Sequence, residues 1–416
     1  MNKLAISGEQ KAFNVSDIHY EWPILSDNTI RAVNSYLLDR NPLSISEKKG
    51  IVKDLEDEVA KYNNIKYVLS TNSGSNALYA AYVALNLERG SEVIVQNVTF
   101  HASITPAMHC GLSPVLVDVE SETGNISVAS IEKAITPKTK AIVVNHTWGH
   151  PADMDEIKKI CTMHKLKLIE DCSHSFGATY KGKKVGTFGD ISVVSMQASK
   201  MVSAGEGGLL MTNNDLYYQR ACLVGHYRGR SEVDITYEEL SKYGDTGMGL
   251  KFRIHPIAAV IAYNELLLLE KKIKMRKNLL GRLSHALENI KGIRPPYISA
   301  DVTMGSFYGY KPQFVPEELK MNGKYIDCDT YIDILNKEGV DIHRPSVKPL
   351  DMLPIFTDNP KPFKCIEDTW HPRVSGTLLG SKKYFENRLS LPTFTYSNKI
   401  VDLYIKAFQK VSDWLG

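Results

Sequence analysis

The densest chemistry in this chain lies between residues 170 and 212. An apolar run (Leu166, Leu168, Ile169) ends in the pair Glu170-Asp171. Further on, Lys200 is the only charged residue between Ile191 and Val202, and the turn Gly205-Glu206-Gly207-Gly208 follows it. A carboxylate at a strand end can hold a pyridinium nitrogen protonated. A lysine in uncharged surroundings must be paired or have a lowered pKa, and a lowered pKa makes the amine a nucleophile. Together Asp171 and Lys200 point to pyridoxal 5'-phosphate (PLP) chemistry. There the cofactor is the electron sink, and the protein supplies a Schiff-base lysine and an acid for the ring nitrogen. Alone, each has an ordinary reading: a solvated acid or helix cap at 171, a surface lysine at 200.

Upstream, Thr71-Asn72-Ser73-Gly74-Ser75 reads as a strand end, a turn and a helix start. The unpaired N–H groups of a helix N-terminus bind phosphate, and Ser73 and Ser75 add hydroxyls. A plain N-cap explains the same serines. Phe100 follows a strand, where it either stacks on a flat heterocycle or fills the core. His174, three residues after Asp171, is either a hydrogen-bond partner for a ring oxygen or a loop histidine. No second ligand stands at metal-binding spacing from it, so no metal is expected. Ser195, five residues before Lys200, is a phosphate donor in the same frame.

These residues need a scaffold. Strands are predicted at 66–71, 92–96, 114–118, 140–145, 166–170, 191–195 and 208–212. Helices are predicted at 75–86, 101–110, 127–135 and 153–165, with one long helix over 256–282. Such alternation implies an α/β fold with a mostly parallel central sheet flanked by helices. It also puts Asp171 at a carboxyl-terminal strand edge, where open α/β sheets bind ligands. We expect a large α/β domain over 55–280 and a smaller α+β domain from 1–54 and 281–416.

Composition narrows the class. The chain has 416 residues, 43% apolar, enough for a large core, and a net charge of +3. No strong field points to nucleic acid or a membrane. The N-terminus lacks a signal-peptide core, and no apolar stretch is long enough to span a bilayer. The six cysteines are scattered without ligand spacing, which suits free thiols in the cytoplasm.

The order phosphate turn, aromatic, strand-end acid, lysine before a glycine turn is far more specific than any one member. With it the chain resembles the DegT/DnrJ/EryC1/StrS family of fold-type-I sugar and cyclitol aminotransferases. The resemblance rests on S-G-S-x-A-L at 73–78, T-F at 99–100, G-H-P-A-D-M-D at 149–155, E-D at 170–171 and G-A at 177–178. It continues with G-T-F-G-D at 186–190, S-x-x-x-x-K at 195–200, G-E-G-G at 205–208 and L-S-L-P at 389–392.

The resemblance implies PLP as cofactor, with Lys200 as imine-forming lysine and proton shuttle and Asp171 on the ring nitrogen. It puts Phe100 on the ring face, Gly74, Ser75 and Ser195 on the phosphate, and His174 on the 3'-oxygen. Lys251 stands where the family's G-x-N-Y-R asparagine enters the neighbouring subunit's phosphate site, which implies a homodimer with shared active sites. The family usually has glutamine where His174 and His150 stand, and often histidine at Phe176.

The implied reaction takes an amine from glutamate or glutamine to a keto-sugar or keto-cyclitol, in amino-sugar, aminocyclitol or secondary-metabolite biosynthesis. Two other classes stay open: another PLP reaction (elimination, dehydration or carbon–carbon bond formation) and a non-catalytic regulator. Candidates to line the acceptor site are Trp22, Trp148, His150, Tyr227, Arg228, Tyr308, His343 and Arg344.

Overall fold

The computed structural model describes residues 4–14, 24–305, 307–358, 372–393 and 397–416. Trp22, Pro23 and Cys365 lie outside the described residues.

Seven strands occur where the apolar runs predict them. They are β1 (Tyr67–Thr71), β2 (Glu92–Gln96), β3 (Ser113–Val117), β4 (Thr139–Asn145), β5 (Lys167–Asp171), β6 (Ile191–Ser195) and β7 (Gly208–Thr212). Val93, Ile94 and Val95 in β2 are all fully buried. A strand covered on both faces reads as a continuous apolar run instead of an alternating one. An eighth strand, β8 (Arg373–Val374), pairs with β3 at the sheet edge. Two residues are too short for any sequence signal. Arg373 secures them by pairing with Glu92, Nη2 to Oε2 3.1 Å, and donating to the Ala134 carbonyl.

The sheet order is β1-β7-β6-β5-β4-β2-β3-β8. β7 runs antiparallel to both β1 and β6, and the remaining pairs are parallel. The carboxyl ends of β2, β4, β5 and β6 therefore share one edge.

The helices used below are α1 (Asp27–Leu38), α2 (Gly50–Asn63), α3 (Gly74–Leu85), α4 (Pro256–Leu267), α5 (Leu269–Leu287) and α6 (Asn398–Leu415). Two expected helices are broken. The 101–110 segment is a 3-10 turn (His101–Ser103) followed by a short α-helix (Thr105–His109). Pro106 has no N–H to donate to the preceding turn, so the ladder cannot continue through it. The single helix expected over 256–282 is α4 and α5, parted at Leu268. The break passes the chain between two cores: Leu266 and Leu269 pack beside the sheet, whereas Leu279, Leu280, Leu283 and Leu287 join a second core.

That second core also takes Leu4, Phe13 and the buried face of α6 (Val401, Tyr404, Phe408, Val411). Residue 54 is not a packing boundary. α2 runs through it and sets Val52, Leu55 and Val59, one helical face, against the sheet-side core. Leu350 and Phe356, from the C-terminal segment, join a further core cluster on the sheet with Leu69, Val93 and Val95. No helix among the described residues is long and apolar enough to cross a membrane.

Candidate active site

Asp171 ends β5 and is buried. Its Oδ2 accepts from Ser103 Oγ at 2.6 Å and its Oδ1 from the Ser173 N–H at 3.1 Å. Ser103 is itself 3.1 Å from Thr99 Oγ1. The carboxylate is thus fixed from the turns after β2 and after β5.

Behind it stands a buried staple. Glu170 accepts from the N–H groups of Gly186, Phe188 and Gly189. Burial alone raises its pKa, but these donors and His146 hold it below the usual carboxylate range. The Ala152 N–H donates to His146 Nδ1 at 3.1 Å, so the ring proton sits on Nε2, 3.3 Å from Glu170 Oε2. His146, Glu170 and Cys172 put their ligand atoms within 4.8 Å of one another. The imidazole and carboxylate lone pairs are taken by protein donors, so these two side chains brace the sheet.

The phosphate turn is built by close approach. Ser73 is the N-cap of α3, its Oγ accepting from the Asn76 N–H at 3.1 Å. The plain capping reading therefore holds for Ser73. The Gly74 and Ser75 amides come first in the helix, where no intrahelical carbonyl can take them. A Cβ on Gly74 would meet Ser195 Cβ at 2.7 Å, so only glycine lets α3 abut the end of β6. Ser195 donates its N–H to Ser173 Oγ at 3.0 Å, which ties the ends of β5 and β6 together. Gly74, Ser75, Ser195 and Asp171 are in this way brought to one place from three chain segments. Phe100 lies on the same edge after β2 and is 48% exposed.

Lys200 follows β6. Its Nζ lies 3.7 Å from the centre of the Tyr308 ring. Burial lowers its pKa, and Tyr308 and Asp171 offset part of that drop. No carboxylate stands within ion-pair distance of this amine among the described residues. Next to it, His174 is stacked on Tyr308 (centroids 4.3 Å, 17°) and on Trp148 (5.1 Å, 8°). Burial, then the charges of Lys200 and Lys311, hold the imidazole well below its usual pKa, so it is neutral. Trp148 itself has a left-handed backbone, φ 54°, uncommon outside glycine.

The other sequence candidates are spread around this centre. Phe176 is core, packed on Tyr62 at 5.5 Å. His150 is a packing histidine, held by Asn125 and accepting from the Ser299 N–H at 3.2 Å. Arg344 pairs with Asp329, and His343 Nδ1 meets the Arg344 carbonyl. Arg228 is exposed on a turn, with Tyr227 half-buried beside it. Lys251 is exposed; its carbonyl accepts from Asn72 Nδ2 at 3.5 Å, and the Phe252 carbonyl accepts from the Asn72 N–H. The loop carrying Lys251 is thereby pinned beside the phosphate turn.

Sequence reasoning missed Ser103, Ser173 and Lys311. The serines carry no signal. Lys311 does: it is the only charged residue between Gly305 and Phe314, the same signature that marked Lys200.

A model of the DegT/DnrJ/EryC1/StrS aminotransferase family matches residues 43–376. The chain belongs to this family. Among curated relatives, GDP-perosamine synthase of Escherichia coli O157:H7 is 38% identical over 222 residues, 53% of this chain. The match spans 59% of that relative's length. L-glutamine:2-deoxy-scyllo-inosose aminotransferase of Streptomyces kanamyceticus is 32% identical over 345 residues, 80% of this chain and 78% of that one. The solved aminotransferase of Psychrobacter cryohalolentis superposes with a TM-score of 0.83 at 26% identity, covering 96% of this chain and all of that one.

For a member of the DegT/DnrJ/EryC1/StrS family, the donor set described here fits PLP. A helix N-terminus suits its phosphate, a buried carboxylate its ring nitrogen and a desolvated amine its aldehyde. The half-exposed Phe100 suits a ring face.

Proposed function

We propose that this protein is a PLP-dependent aminotransferase. It moves the amine of glutamate or glutamine to a keto-sugar or keto-cyclitol in amino-sugar or aminocyclitol biosynthesis. The observation that carries the reading is Lys200: a desolvated amine without a carboxylate partner among the described residues, held over Tyr308 near Asp171. The relatives' names supply the substrate classes, a GDP-linked sugar and a cyclitol ketone with glutamine as donor.

PLP, when bound, supplies the electron sink that stabilises a carbanion at the substrate carbon. The chain's residues do the rest. Asp171, fixed by Ser103 and Ser173, keeps the ring nitrogen protonated. The α3 N-terminus, Gly74, Ser75 and Ser195 hold the phosphate. Lys200 would move the proton between the substrate carbon and the cofactor carbon, a role that needs an amine with a lowered pKa. Phe100 covers one ring face, and His174, being neutral, serves the 3'-oxygen as a hydrogen-bond partner. Trp148 and Tyr308 wall the site against water.

The deciding experiment mixes PLP-loaded protein with glutamate or glutamine without acceptor. Loss of the visible cofactor band, restored by a keto-sugar or keto-cyclitol, is the expected result. Retention of the band with both amino acids sinks the transfer reading and favours elimination chemistry.

The reading includes a homodimer in which Lys251 serves the neighbouring subunit's phosphate site. Its exposure beside the phosphate turn supports this placement. A monomer in equilibrium sedimentation, or a Lys251→Ala protein with unchanged PLP affinity, would count against it.

A further inference from the structure

The site has a second buried amine that the reading above does not use. Lys311 is 9% exposed. Its Nζ donates to Ser390 Oγ and lies 4.4 Å from the centre of the Trp148 ring. No carboxylate among the described residues stands within ion-pair distance of it. Burial pushes its pKa down to about 7.

Lys311 also belongs to the site by contact. Trp148 stacks on His174, His174 on Tyr308, and Tyr308 lies under Lys200. Trp148 and Tyr308 also stack on each other, centroids 6.3 Å apart, so the two amines sit on neighbouring rings of one aromatic cluster. The backbone makes room for this lysine: a Cβ on Gly309 would meet Lys311 Cε at 2.8 Å and Trp148 Cε3 at 2.9 Å. Ser390 is fixed in turn, since its backbone exchanges both hydrogen bonds with His343.

An ammonium buried without a counter-charge costs several kcal/mol, and replacing such a group with an apolar one of similar shape commonly stabilises a protein. Lys311 stands beside the reactive lysine with only Ser390 and Trp148 as partners, and its lowered pKa leaves it able to take up a proton together with an anionic substrate group. We propose that Lys311 is a specificity-determining residue whose ammonium pairs with a carboxylate of the amino-acid donor. The inference rests on the aminotransferase reading, in which the donor is the substrate bound to carry a carboxylate. Lys311 is held too deep by Trp148 and Ser390 to serve as a general surface charge.

The test uses the PLP-loaded full chain, Lys311→Met and Lys311→Gln, and two probes: L-glutamate, and glutarate, a dicarboxylate with no amine to transfer. Both variants should show the wild-type cofactor spectrum. Lys311→Met should melt at the wild-type temperature or above it. Half-saturating glutamate should rise ten- to a hundredfold in both variants, with a smaller change in the maximal rate of the first half-reaction. Glutarate should raise the melting temperature of the wild type and leave both variants unmoved. Equal glutarate stabilisation in all three proteins overturns the proposal, as does unchanged half-saturation by glutamate. So does a variant that melts lower and loses PLP, because that marks a structural lysine. Glutarate reads carboxylate pairing without transfer. A wild type silent towards amino acids but stabilised by glutarate therefore breaks the function reading and not this one.

Discussion

Lys200 Nζ sits 3.7 Å above the Tyr308 ring, a contact between the end of β6 and a segment 108 residues further along (308 − 200). It fixes where the amine stands before any cofactor arrives. A ring face holds a cation by its quadrupole and offers no proton acceptor in return. The amine is therefore placed without being tied up in an ion pair.

Replacing Tyr308 separates ring from hydroxyl. Tyr308→Phe keeps the ring and loses the hydroxyl, which lies 3.0 Å from Ser199 Oγ. It should retain most of the transfer rate. Tyr308→Leu removes the cation–π contact, worth about 0.5–2 kcal/mol, and should slow the proton step about three- to thirtyfold. Single-turnover absorbance against glutamate distinguishes the two; equal rates would remove Tyr308 from the positioning of Lys200.

Ser103 gives Asp171 a 2.6 Å hydrogen bond. Bonds to charged groups contribute about 1.5–3 kcal/mol. Ser103→Ala should therefore weaken the hold on the ring nitrogen and lower the transfer rate about ten- to a hundredfold. The melting temperature should change little, since the hydroxyl is small. A rate within twofold of wild type would show that Ser173 suffices.

Gly74→Ala places a methyl against Ser195, 2.7 Å from its Cβ and 3.0 Å from its Cα. Part of the clash is with backbone, so a rotamer change cannot relieve it. PLP affinity should fall at least about tenfold, roughly 1.4 kcal/mol, as measured by cofactor titration. Ser195→Gly in the same chain should restore only part of it.

His226 predicts an acid limit. Burial first, then the nearby Arg230, depress its pKa to about 3, while the Ser70 carbonyl at 2.9 Å offsets part of the drop. An unfolded histidine titrates near ~6.5. Between those values the unfolded chain binds more protons, so stability is full above the unfolded pKa and falls as pH drops towards the folded one. The loss is at most about 5 kcal/mol for this group. Melting temperature should decline on acidification below neutral pH. A His226→Gln chain should show a shallower decline, and parallel slopes would exclude His226 as the cause.

The two lysines show how far sequence reading reaches. Each is the single charge in an apolar stretch, and that local pattern predicts a desolvated amine at both. Lys200 stands out because a strand-end acid and a phosphate turn lie upstream of it in family order. Lys311 has no such company in the chain. Its meaning comes from Trp148 and Ser390, which reach it from distant segments. His150 and Phe176 depart from the family's usual residues, and only the fold shows what they touch: Ser299 and Tyr62.

The sequence by itself determined seven of the sheet strands, the strand-end position of Asp171, the helix start at Gly74 and the uncharged setting of Lys200. Those features are written in local periodicity, turn chemistry and charge isolation, within a few residues of where they act. The tertiary structure decided the rest. It set Ser103 on Asp171 across 68 positions, pressed Gly74 against Ser195 and gathered Trp148, His174 and Tyr308 into one cluster with Lys311 on Trp148 and Lys200 on Tyr308. It also routed residues 4–13 to one core and α2 to the other. Contacts of that kind depend on which faces meet when the layers close. No local pattern encodes that, because each partner's own neighbours are satisfied with or without it.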